Sequence, residues 1–78
     1  MKKNNIYTIY LLDNSKENVI GLMVVQKGLL FHSLKMLKNF YDEDNLFVVQ
    51  GNKPLKKYKK DDFYENFSYK DYKIYKNY

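Results

Sequence analysis

His32 is the single histidine in the chain, and so the one imidazole that could serve as a general base. Ser33 follows it directly, and Lys35 and Met36 stand one helical turn on, so no carboxylate is spaced to orient the imidazole. Consecutive helix residues point about 100° apart, which keeps His32 and Ser33 from forming a base and nucleophile pair by themselves. A partly buried or surface histidine is the expectation. Asp42, Glu43 and Asp44 could gather a hard cation, but three adjacent acids at a helix end diverge, and no matching carboxylate spacing occurs elsewhere. They read as a solvated helix terminus. Gly21, Gly28 and Gly51 are scattered and build no phosphate loop.

With no cysteine, thiolate zinc sites, disulfides and cysteine nucleophiles are all excluded. All fourteen basic residues are Lys, so the bidentate clamp that arginine places on phosphate or carboxylate is missing. The expectation is a non-enzymatic protein with no cofactor and no metal. What remains is binding, and two sets of residues could carry it.

The first set is aromatic. The last third of the chain holds Tyr58, Tyr69, Tyr72 and Tyr75 together with Phe63, Phe67 and two further tyrosines, but only two large aliphatics, Leu55 and Ile74. Tyrosine supplies large contact area at low entropic cost and keeps its hydroxyl wet, which suits a protein-binding surface as well as a chain's own sheet. The second set is basic: Lys53, Lys56, Lys57, Lys59 and Lys60, with Tyr58 among them as a stacking surface. Lysine neutralises phosphates without reading sequence, so this patch points to non-specific nucleic-acid binding. Asp61 and Asp62 directly after it weaken the field. Lys, Asn and Tyr, which share AT-rich codons, make up 32 of the 78 positions, so a low-GC genome accounts for part of both sets.

These residues must be positioned by one small domain spanning 1–78, whose marginal core makes help from a protein partner or from a second copy an expectation. Ile6 to Leu12 is dense in β-branched and aromatic residues and reads as a buried strand; Asp13 ends the run, which argues against a leader peptide. After six polar residues, Val19 to Gln26 reads as its antiparallel partner. Leu30, Leu34, Leu37 and Tyr41 recur at helical spacing and predict one amphipathic helix from Leu29 to Tyr41, fraying where Asp42 to Asp44 oppose its dipole. Leu46 to Gln50 is a third strand. Residues 53–62 are expected as an exposed loop or edge, Asp62 to Phe67 as a short helical turn, and Tyr69 to Tyr75 as a fourth, tyrosine-rich strand. The whole is an α+β domain, ββαβ plus that last strand, with a mostly antiparallel sheet covered on one face.

No run is long and apolar enough to span a membrane, so a cytoplasmic protein of a bacterial or other low-GC cell is expected. In size, composition and lack of enzyme signatures the chain resembles small phage or mobile-element proteins that block a host defence or transcription machine by occupying a surface. That resemblance implies an inhibitor or adaptor and carries over no residue roles.

Overall fold

A computed structural model describes residues 5–52 and 59–78. β1 (Ile6–Leu12) and β2 (Val19–Gln26) form an antiparallel hairpin in which Ile9 faces Met23 and Leu11 faces Gly21, with one irregularity where Leu12 pairs with Val19. The connecting loop is organised by one carboxylate. Asp13 accepts from the Ser15 hydroxyl at 2.7 Å, from the Asn18 side-chain amide at 2.8 Å, and from the backbone N–H groups of Glu17 and Asn18. Those donors, Asn18 first, hold its carboxyl well below the usual carboxylate range.

β2 runs directly into the helix α1 (Lys27–Leu37), which lays Leu30 and Leu34 on Tyr7, Ile9, Val48 and Ile74 of the sheet. The helix stops at Leu37, short of the predicted Tyr41. Beyond it, Asn39 and Phe40 donate to the carbonyls of Met36 and Leu37, the tighter i to i−3 pattern of a closing turn, just ahead of Asp42 to Asp44. A short turn at 43–45 then enters β3 (Leu46–Gln50), which pairs antiparallel with β1. Asn45 secures this return: its amide donates to the carbonyls of Leu12 at 3.0 Å and Asp13 at 3.1 Å. At the far end the Gly51 N–H donates to Ile6 and its carbonyl accepts from Thr8 Oγ1; its φ of 103° suits glycine.

The C-terminal third departs from the expected order. The helical turn lies at Lys60–Asp62, and Phe63–Tyr69, where a helical turn was expected to run through Phe67, is the strand β4. It pairs antiparallel with β5 (Tyr72–Asn77) through a two-residue turn whose residues, Lys70 and Asp71, both have positive φ. That is the twist-matched hairpin turn. Cross-strand pairing and burial of Phe63 outweigh the weak capping signal of Asp62 and Glu65. The fold is therefore ββαβββ, with one strand more than expected. β5 lies parallel to β3, and the sheet order is β2-β1-β3-β5-β4. Of the expected exposed segment 53–62, residues 53–58 lie outside the described residues and 59–62 are exposed.

The sheet face away from α1 carries its own core of Tyr10, Leu12, Phe47, Val49 and Phe63. Among the described residues no helix is long and apolar enough to cross a membrane.

Candidate functional site

Strand alternation sends Tyr72 and Tyr75 to opposite faces of the sheet. Tyr72 is buried beneath α1, its ring edge-on to Phe31, whereas Tyr75 is half-buried on the other side and stacked on Phe47 at 4.4 Å. Tyr69 packs on the helix-side core and raises the phenol pKa of Tyr7, whose shift comes first from burial. The three tyrosines are thus structural members of two layers and form no single surface. Tyr58, Lys53, Lys56 and Lys57 lie outside the described residues, while Lys59 and Lys60 are exposed next to Asp61 and Asp62.

The residues considered for chemistry are kept apart. His32 is exposed on α1, and Ser33 next to it is buried. Glu43 pairs with Lys38 and Asp44 with Lys16, each at 3.7 Å between exposed side chains, and among the described residues no cluster of three potential metal ligands occurs. A groove of about 490 Å³ opens at the end of the sheet by Leu12, Leu46 and Tyr72, with charges of both signs on its rim and no histidine.

The exposed apolar surface lies instead on the β2 side. Ile20, Leu22 and Val24 alternate along β2 and are 62%, 44% and 44% exposed. Leu22 pairs with Tyr10 and Val24 with Thr8, which places both on the helix-free face at the margin of the sheet. On the other face, the Phe31 flank of α1 turns toward the β4–β5 hairpin, where the Lys70 ammonium stands 4.5 Å from the Phe31 ring centre. At 100° per residue, Leu29 and Met36 fall on the opposite flank, toward β2, and both are exposed. Phe40, in the turn after the helix, is 76% exposed.

The backbone of β2 adds to this. The Ile6 carbonyl accepts from Gly51 on the β3 side, so alternation turns the peptide groups of Tyr7, Ile9 and Leu11 toward β2. Their partners Val25, Met23 and Gly21 point back, and the N–H and C=O groups of Leu22 and Val24 point out of the sheet, where no described strand pairs with them. β4, the other margin, is blunted: its ladder is interrupted between Glu65 and Phe67, and its exposed positions are Glu65, Asn66 and Ser68.

Sequence reasoning read Val19 to Gln26 as a strand without marking it as an edge, because strand order is set by where β3 inserts. The signal for Leu29 and Met36 was available, since both fall off the Leu30, Leu34, Leu37 stripe.

No protein-family model matches the chain, and no curated protein or solved structure is significantly similar to it.

Proposed function

We propose that the protein is a non-enzymatic protein-binding module, an inhibitor or adaptor, that docks through its β2 side. The observation that carries this reading is the coincidence of an uncharged strand edge, paired with no other described strand, with apolar side chains on both flanks of it, Leu22 and Val24 below and Leu29 and Met36 above. A strand added to such an edge gains main-chain hydrogen bonds, and the side chains beside it supply selectivity. Isolated exposed apolar residues are ordinary, whereas a contiguous group around an open edge marks an interaction surface or an aggregation hazard.

Affinity capture with the whole chain tests it. Val24→Lys combined with Met36→Lys should lose the captured partner, while Ser68→Lys on the opposite edge should keep it. Equal capture by all three forms sinks the assignment of this face. The same preparations titrated against labelled nucleic acid at two salt concentrations address the Lys53 to Lys60 patch, where a log–log salt slope of several units would move the function there.

A further inference from the structure

We infer that the partner seated on the β2 side is a second copy of this chain, joined antiparallel edge to edge with Leu22 of one copy opposite Leu22 of the other. The inference rests on the β2 side being the docking face.

Three features of the edge are self-complementary. First, the outward-pointing peptide groups fall at even positions. A twofold axis at Leu22 sets Leu22 against Leu22 and Val24 against Ile20 of the second copy, so these groups meet one another as in an ordinary antiparallel ladder. The irregularity between β1 and β2 sits at Ile20, which the register passes over between Gly21 and Val19, and it leaves Gly21 to Gln26 in regular register.

Second, charge selects this register. Val19 to Gln26 is free of charge, with Glu17 before it and Lys27 after it, and neither forms an ion pair with another described residue. An axis at Leu22 places Glu17 opposite Lys27 of the second copy, twice by symmetry. It also brings a carboxylate to the first turn of α1, which has no acidic residue and no side-chain cap of its own. Moving the axis one residue to Met23 satisfies the backbone equally but faces Lys27 with Val19.

Third, the apolar flanks face one another. An antiparallel edge pair has its twofold perpendicular to the sheet, so both α1 helices lie on one side of a continuous ten-stranded sheet, with the exposed Leu29 and Met36 flank of each turned toward the other copy.

The test is the solution mass of the whole chain across a dilution series, read with folded-state circular dichroism. The wild type should be dimeric at micromolar concentration. Leu22→Pro removes an outward N–H without touching the β1 ladder and should raise the dimer dissociation constant at least tenfold. Val24→Lys should do the same if the proline variant fails to fold. Glu17→Lys should weaken the dimer, and adding Lys27→Glu should restore it. Because the chain has no cysteine, Leu22→Cys should oxidise to a covalent dimer, since a directly opposed pair has a Cα separation of about 5.5 Å. Met23→Cys should not. A monomeric wild type overturns the inference and leaves the β2 side as a docking face for a different protein. A dimer indifferent to Leu22→Pro, Val24→Lys and the charge exchange overturns the inference and the face together. A dimer that cross-links through Met23→Cys in place of Leu22→Cys overturns the register.

Discussion

The rings of Phe47 and Tyr75 stack at 4.4 Å with their planes 28° apart, joining β3 to β5 on the sheet face away from α1. Only two residue pairs register these parallel strands, Val48 with Ile74 and Val49 with Tyr75, so the stack supports a short ladder. Tyr75→Ala should cost about 2–3 kcal/mol in urea unfolding, the loss of a half-buried ring plus its aromatic partner. Tyr75→Phe keeps the stack and should cost less than about 1 kcal/mol. A near-neutral alanine variant would show that the ring is free to serve a partner.

Asn45 donates two hydrogen bonds to the last carbonyls of β1 from a buried position. Asn45→Ala leaves both acceptors without that donor and should destabilise by about 1–3 kcal/mol. Asn45→Asp should be worse near neutral pH, because a carboxylate would face two carbonyl oxygens, and it should recover partly as acid protonates it. The comparison is made by thermal unfolding at pH 4 and pH 7.

The β4–β5 turn places two residues with Cβ atoms in the left-handed region, Lys70 at φ 48° and Asp71 at φ 73°. Asp71→Gly should stabilise the protein by about 1 kcal/mol, by relieving that conformation in a turn that favours glycine. Lys70→Gly should gain less, since it also removes the ammonium from the Phe31 ring. Chemical denaturation of both variants measures the difference, and equal gains would show that the cation contact contributes nothing.

Tyr7 and Asp13 give the stability curve its two arms. Burial, then the neighbouring Tyr69, raises the Tyr7 phenol above its ordinary 10.0 in the folded state. Its contribution is therefore complete below pH 10 and is lost as pH rises through the folded value. Stability of Tyr7→Phe should fall less steeply between pH 9 and pH 11 than that of the wild type.

Asp13 is shifted downward from 3.8, so what it contributes is present above that value and lost as pH falls toward the folded one. Asp13→Asn should flatten the acid arm. A wild-type acid arm unchanged by this substitution would show that the loop network is already open in solution.

The period of the apolar residues was enough to locate β1, β2, α1 and β3, because a buried strand and an amphipathic helix are local patterns that chain neighbours impose on one another. The face assignment of Tyr72 with Ile74 and of Lys73 with Tyr75 followed from alternation alone, and the paucity of catalytic residue types was legible from composition. The strand at Phe63–Tyr69 was not, since its weak capping spacing is local whereas the pairing with Tyr72–Asn77 and the burial of Phe63 are not. Nor could the sequence say which tyrosines are buried, because that depends on which sheet face each strand presents and on what lies across it. Above all, the insertion of β3 between β1 and β5 made β2 an edge. VIGLMVVQ would read the same at the centre of the sheet, where its alternate positions would find strands on both sides. Only tertiary order left the peptide groups of Leu22 and Val24 without a partner among the described strands, and that order arises from long-range pairing that no single segment encodes.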